Sequence, residues 1–261
     1  MLYRISEDIF KLEVPFYNIY TAVFFVKTQK GFAIIDAADS EADAENYILP
    51  ALRELGISED RVTAILLTHT HGDHVGGTPQ LAKQCKNAYI YGFARPCVPF
   101  DVSRFVALCD GDIIDESIKA VALEGHDLSC GGFLHIPSKT LLSGDSLQLY
   151  GLDVYALGVR SPKLYFESLN KLKNMEINNI LASHDFVPLG SVAAGKEEVK
   201  KYIKCAEECL NDMISFVKAK NKEGVTNIFK IQEMFISSRQ NTYENFPTAN
   251  FHNIIEKIKN M

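Results

Sequence analysis

The stretch Val62–Gly77, VTAILLTHTHGDHVGG, constrains this chain more than any other. It opens on an apolar run, Ala64 to Leu67, that reads as a buried β-strand. His69, His71, Asp73 and His74 then follow within six residues, so three of the chain's seven histidines lie directly after one strand. On extended backbone, residues two apart point the same way, so His69 and His71 can share one metal ion. Gly72, Gly76 and Gly77 permit a sharp bend and a close backbone approach, after which Asp73 and His74 can face a second ion. Imidazoles with a carboxylate suit zinc, and also iron or manganese. A chance cluster in a polar loop is the bland alternative, and this density of histidines argues against it.

The segment HTHGDH resembles the HxHxDH signature of the metallo-β-lactamase superfamily of metal-dependent hydrolases. The family takes three further ligands from later loops: a His, a bridging Asp and a last His. The chain offers them in that order as His126 in LEGHDLSCGG, Asp145 in LLSGDSL and His184 in ILASHDFVP. The resemblance covers Tyr3 to Pro188, and every one of the family's ligand positions is filled. It implies that His69, His71 and His126 hold one ion, that Asp73, His74 and His184 hold the other, and that Asp145 bridges them. The implied cofactor is a pair of zinc ions, with iron or manganese as alternatives, sharing a water whose pKa falls toward neutrality to give the attacking hydroxide. Asp73 is then both a ligand and the catalytic group that orients the water. The implied fold is α/β, a four-layer αββα sandwich of two mixed sheets with the metals at one edge. Periodicity alone reaches only a mixed α/β chain.

Sub-family differences narrow the chemistry. Asp145 stands where β-lactam hydrolases of the superfamily usually carry Cys or Ser, which disfavours an antibiotic substrate. A bridging Asp is similar to the thioester, lactone and phosphodiester branches, glyoxalase-II-like enzymes and lactonases among them. The lactonase branch usually has Tyr three residues after this Asp, and here that position is Gln148. Glyoxalase-II-like thioesterases carry a basic residue and a Tyr for glutathione's carboxylates; Tyr150 is near, but the first basic residue is Arg160. The resulting expectation is a hydrolase of a small ester, thioester or lactone. Two alternatives remain: a phosphodiesterase on the same fold, and an iron-dependent persulfide dioxygenase, which would leave His74 and His184 idle. No G-x-S-x-G elbow, P-loop or G-x-G-x-x-G motif competes.

The 261 residues fit one large domain or one domain with an extension. A chain this long buries a sufficient core without a structural metal, so a bound metal is expected to be catalytic. The net charge of -6 gives no footprint for nucleic acid, and none is expected as a partner. The six cysteines form no CxxC pair, no secretory signal precedes the first strand, and no apolar run has the length of a membrane span. A cytoplasmic protein with reduced thiols and no membrane partner is expected.

In chain order, Leu2–Ile5, Ile9–Val14, Tyr20–Val26 and FAIID after Gly31 read as strands of an antiparallel sheet edge, with a turn at Thr28–Gly31. Asp36 ends a buried strand; in the resembling family an acidic residue there supports the metal loops from behind, and capping the next turn is the bland alternative. Ser40–Leu55 reads as a helix closed by Gly56. After the metal loop come a short helix to Gln84 and a strand at Ala88–Tyr91. Phe93–Asp112 reads as irregular. Ile118–Leu123, Gly131–Ile136 and Thr140–Leu142 read as strands, Ser161–Met175 as a helix and Ile180–Ala182 as a strand. Each proposed ligand therefore follows an apolar strand, while His135 and His252 do not enter a Gly-containing loop and read as ordinary residues. Leu147–Val159 is apolar and aromatic, so Tyr150 and Tyr155 are candidate substrate-binding phenols; packing against the core is the bland reading. Residues 1–194 form the expected catalytic domain. Residues 195–261 form an expected helical extension, with helices at Gly195–Lys222, Val225–Ile236 and Asn250–Met261, whose role is sheet cover, substrate lid or homodimer contact. Cys205 and Cys209 share a helical face and read as packing.

Overall fold

The computed structural model describes residues 1–152 and 158–238. The chain begins with β1 (Leu2–Arg4), β2 (Ile9–Phe16), β3 (Ile19–Lys27) and β4 (Phe32–Ile35), each antiparallel to the one before. A helical stretch follows as α1 (Glu41–Asp43), a π-helical turn Ala44–Ile48 and α2 (Leu49–Glu54). Ser40 starts it by accepting the Asp43 backbone N–H at 3.1 Å. Then come β5 (Val62–Leu67), α3 (Gly72–Val75), α4 (Thr78–Gln84), β6 (Tyr89–Gly92) and β7 (Phe105–Ala107), and β4 to β7 run parallel. These seven strands form the first sheet in chain order.

The second sheet is built from β8 (Ile113–Ile114), β9 (Ile118–Ala122), β10 (Gly131–His135), β11 (Thr140–Gly144), β12 (Asn179–Ala182) and β13 (Val192–Ala194). Only β11 and β12 pair in parallel, joined through α5 (Pro162–Lys173). Two further helices follow, α6 (Lys196–Lys222) and α7 (Ile228–Ser238).

The residue pattern of β3 shows why the sheets stack. Thr21 to Val26 is buried without alternation, as expected of a strand covered on both faces. Ala22, Phe24 and Val26 meet Ala120, Phe133, Leu142 and Leu181 of the second sheet, while Val23 and Phe25 pack under Ile48, Leu52 and Leu81 of the helices. A third core joins the outer face of the second sheet to Leu169 and Leu172 of α5 and Tyr202, Ile203 and Met213 of α6. The layers are thus αββα. Each fully buried Leu, Ile or Phe contributes roughly 1.5–3 kcal/mol.

The expected elements recur with ends shifted by one to three residues, and three short strands were not anticipated. Phe93–Asp112 is not wholly irregular, because it contains a 3-10 turn, Val102–Arg104, and β7. Strands β7, β8 and β13 have two or three residues and lie on sheet edges, too short to establish a period. The helix expected at Asn250–Met261 and His252 lie outside the described residues. His135 is buried with Nδ1 2.8 Å from Ser138 Oγ and belongs to no metal-donor cluster among the described residues.

The topology determines where the loops meet. Strands β4 and β5 are parallel, as are β11 and β12, while β9 is antiparallel to β10 and so runs with β11. All five C-terminal ends therefore reach the same edge of the sandwich. Two backbone hydrogen bonds tie the sheets together there: Gly131 N–H to Thr68 O at 2.8 Å and Ala22 N–H to Ser183 O at 2.7 Å.

Candidate metal centre

The loops after β5, β9, β11 and β12 bring all the sequence-predicted ligands together. His71 is extended at φ -67° and ψ 149°, and its Nδ1 lies 2.9 Å from His69 Nε2 and 3.0 Å from His126 Nε2. On the other side, Asp73 Oδ2 lies 3.2 Å from His74 Nε2 and 3.3 Å from His184 Nε2. Asp145 stands between these groups. Its Oδ1 is 3.6 Å from His74 Nε2 and 3.4 Å from His184 Nε2, and its Oδ2 is 3.7 Å from His126 Nε2. One carboxylate thus presents an oxygen to each cluster.

The backbone that allows this is tight. A Cβ on Gly76 would lie 1.8 Å from Asp39 O, and one on Gly77 would lie 2.2 Å from Ala37 O. Gly72 differs from the sequence expectation: it opens the helical turn α3, and a Cβ there would meet only Asp39 Oδ1 at 3.5 Å. The close approach belongs to Gly76 and Gly77, where the chain turns back under the 36–40 segment.

Outward-facing ring nitrogens are held in ways that leave the inward ones free. His74 Nδ1 donates to Asp36 Oδ2 at 2.8 Å, His184 Nδ1 to the Tyr20 carbonyl at 2.6 Å, and His69 Nδ1 to Thr68 Oγ1 at 3.1 Å. His126 Nδ1 donates to the Gly158 carbonyl. Each bond puts the ring proton on Nδ1 and the lone pair of Nε2 toward the centre. Asp36 itself adopts a left-handed backbone, φ 62°, and accepts the Thr68 N–H at 2.8 Å with the Thr68 hydroxyl beside it. It supports both His69, through Thr68, and His74 directly. Replacing Asp36 by Asn tolerates this φ but removes the charge, so metal affinity is expected to fall about tenfold with the fold intact. Titration with a competing chelator, with a circular dichroism melt beside it, checks this.

The electrostatics ask for added positive charge. Burial opposes ionisation of Asp73 and Asp145, yet the neighbouring histidines hold both carboxyls below the usual range. Burial likewise opposes protonation of His74 and His184, but the carboxylates outweigh it. They raise His74 and push His184 up to about 10. Protons there meet a demand that a divalent cation would also meet. At His69 and His126 burial, helped by the neighbouring imidazoles, outweighs Asp145 and lowers both. His74 Nε2 and Asp145 Oδ1 are buried with no hydrogen-bond partner, which is costly for polar atoms and is resolved by a shared cation. The donor set, the orphaned atoms and the charge balance all fit divalent metal.

Sequence reasoning missed several supporting groups. Thr21 Oγ1 donates to Asp73 Oδ2 at 3.0 Å, and the carbonyls of Tyr20 and Gly158 orient two ligand rings. Backbone carbonyls carry no sequence signature. Tyr150 places its hydroxyl 3.2 Å from Asp212 Oδ2 on α6. Tyr155 lies outside the described residues. Of the rest of that segment, Leu147, Leu149 and Val159 are buried in the core beneath α5 and α6.

A family model described as the metallo-beta-lactamase superfamily matches residues 18–184, and the chain belongs to that superfamily. Its relatives include a hydroxyacylglutathione hydrolase of Pseudomonas syringae pv. syringae, 31% identical over 161 residues, which are 59% of this chain and 57% of that protein. Another protein of that name, from Vibrio parahaemolyticus, is 25% identical over 72% of this chain and 73% of its own length. The match to the Pseudomonas relative thus spans little more than half of that protein's length. Among solved structures, a metallo-beta-lactamase mutant from Cronobacter sakazakii has a TM-score of 0.64 at 15% identity, covering 84% of this chain and 99% of its own. A metallo-beta-lactamase family protein from Thermus thermophilus has a TM-score of 0.60 at 18% identity over 82% and 84%. At such identities these structures establish the fold alone. Among the described residues no helix is long and apolar enough to cross a membrane.

Proposed function

We propose that this protein is a metal-dependent hydrolase that cleaves a small thioester, using two zinc ions held by the side-chain clusters on either side of Asp145. The observation that carries the reading is Asp145, whose two oxygens face separate clusters of imidazoles. His69, His71 and His126 would hold one ion, and Asp73, His74 and His184 the other. When bound, the pair supplies Lewis acidity and lowers the pKa of an attacking water. The protein's own groups supply position. Thr21 fixes the Asp73 carboxylate, which stays ionised and can accept a hydrogen bond from a water and so orient it. The Nδ1 bonds of His74, His126 and His184 hold the rings, so little reorganisation accompanies reaction.

The relatives' names favour the thioester over the ester and lactone also compatible with the site. The complete second cluster favours two ions over the single iron of a persulfide dioxygenase. Purified without chelator, the protein is expected to carry about two zinc ions per chain and to hydrolyse 2-hydroxyacyl thioesters faster than lactones or phosphodiesters. Elemental mass spectrometry and a thiol-release assay with glutathione and non-glutathione thioesters test this. One iron per chain with oxygen uptake, or turnover confined to phosphodiesters, would overturn it.

A further inference from the structure

The three-histidine cluster takes its members from two loops far apart in the sequence. His69 and His71 follow β5, and His126 follows β9. Each loop also carries a hydroxyl outside the donor set. Thr70 stands between His69 and His71, and Ser129 lies three residues after His126. Their oxygens are 3.2 Å apart. Ser129 is buried, and its hydroxyl lies 2.7 Å from Asp127 Oδ1, which also accepts the Ser129 backbone N–H at 2.9 Å. The second carboxylate oxygen, Oδ2, accepts from Arg160 Nη1 at 2.9 Å. A carboxylate only accepts, so the single Ser129 hydroxyl proton goes to Asp127. Ser129 Oγ keeps its lone pairs, and Thr70 Oγ1 is the donor to it. The bonds therefore run one way, from Thr70 to Ser129 to Asp127. A hydroxyl that donates to a carboxylate becomes a stronger acceptor, so the two bonds reinforce each other. The Asp127 carbonyl also accepts the Gly125 N–H at 3.2 Å and the Cys130 N–H at 3.4 Å, so Asp127 holds both ends of the His126 loop.

We infer that Ser129 is a positioning residue that holds the His126 loop against the His69–His71 loop and so fixes the spacing of the three imidazoles. Its hydroxyl is where the loops join: Asp127 on its own loop accepts from it, and Thr70 on the other loop donates to it. His126 adjoins Asp127 in sequence, and His69 and His71 adjoin Thr70. A shift of one loop against the other therefore moves His126 away from His71, whose facing ring nitrogens are 3.0 Å apart. Metal–ligand distances tolerate only about 0.2 Å, so such a shift is felt in affinity. Gly131 N–H to Thr68 O, at 2.8 Å, ties the same two segments at the strand ends, and the hydroxyl bond extends that tie into the loops. The Asp73–His74–His184 cluster takes its support from Thr21, Asp36 and the Tyr20 carbonyl instead. Ser129 acts on one cluster and not on the other.

This role rests on the proposed metal centre, and the test keeps the two apart. Metal-free wild type, Thr70→Val, Thr70→Ser, Ser129→Ala and the Thr70→Val/Ser129→Ala double variant are titrated with Co²⁺ and with Zn²⁺ against a chelator. The visible Co²⁺ bands distinguish the clusters, and a circular dichroism melt monitors folding. Valine keeps the shape of threonine without the hydroxyl; serine keeps the hydroxyl. Thr70→Val and Ser129→Ala are each expected to weaken the three-histidine cluster about tenfold. The double variant is expected to match Ser129→Ala, because both changes remove the same bond. Thr70→Ser is expected to keep wild-type affinity, as is the Asp73–His74–His184 cluster in every variant. Hydrogen–deuterium exchange of the metal-free proteins reads the contact itself. Thr70→Val is expected to speed exchange in residues 125–130 about fivefold, the worth of one hydrogen bond, and to leave residues 183–191 unchanged. Unchanged affinity in Thr70→Val, a Thr70→Ser variant as weak as Thr70→Val, additive losses in the double variant, or equal weakening of both clusters overturns the role of Ser129. If Ser129→Ala does not fold, the two Thr70 variants decide. A wild type that takes up no metal overturns the metal-centre reading, and the exchange comparison then decides whether the hydroxyls join the loops.

Discussion

Asp145→Ala is expected to cost both metal occupancy and turnover more than any other single change at the site. Its two oxygens are the only carboxylate atoms that face both clusters among the described residues. Without them, His74 and His184 lose one of the two carboxylates of the centre, and no charge links the two ion positions. Metal content is expected to fall from about two ions per chain to one or fewer. If the pair supplies several kcal/mol of transition-state stabilisation, kcat/KM falls by about 10³-fold or more. The fold is expected to survive, because Asp145 lies at a strand end outside the apolar cores. Elemental analysis, a steady-state assay and a thermal melt on the same preparation check all three. Full metal content and turnover in the variant would remove Asp145 as a bridge. The Asp36→Asn change should be milder, since it alters the support of the rings and leaves every donor in place.

Gly76→Ala is expected to be the most damaging small substitution for stability. Its new Cβ would lie 1.8 Å from Asp39 O, 2.2 Å from Asp39 C and 2.8 Å from Ser40 N, all backbone atoms that no rotamer change can clear. The two segments cannot simply part, because Gly76 N–H donates to Ala38 O at 2.9 Å and Ala37 N–H to His74 O at 2.8 Å. Overpacking of this kind costs about 3 kcal/mol, or a fall in Tm of roughly 6–12 °C for a chain of this size. Metal affinity should fall with it, since His74 sits two residues away. Gly72→Ala is the control: the position is helical with ordinary contact only, so Tm should change by no more than about 2 °C. Differential scanning calorimetry separates the two, and a Gly76→Ala protein as stable as wild type would show that the backbone turn is soft.

The sequence by itself picked out the residues that gather at the site. His69, His71, Asp73 and His74 are local, and spacing of two on extended chain already aims two imidazoles alike. His126, Asp145 and His184 were found through family order, each behind an apolar strand that can be read from composition. The doubly buried strands β3 and β5 were legible for the same reason: burial on both faces leaves an unbroken apolar run. The edge strands β7, β8 and β13 were not legible, because two or three half-exposed residues carry no periodic signal.

Tertiary structure alone decided how the donors face one another. That Asp145 presents one oxygen to each cluster depends on parallel pairing of β11 with β12 and on the bonds that tie the sheets at Gly131 and Ala22. The need for glycine at 76 and 77, rather than at 72, depends on a segment some 40 residues earlier in the chain passing within contact distance. Tyr150, a plausible substrate phenol in the sequence, is directed to Asp212 by the packing of α6. Two of the groups that orient the rings are backbone carbonyls, those of Tyr20 and Gly158. Their chemistry is the same in every protein, so only their position, set by long-range packing, makes them part of the site.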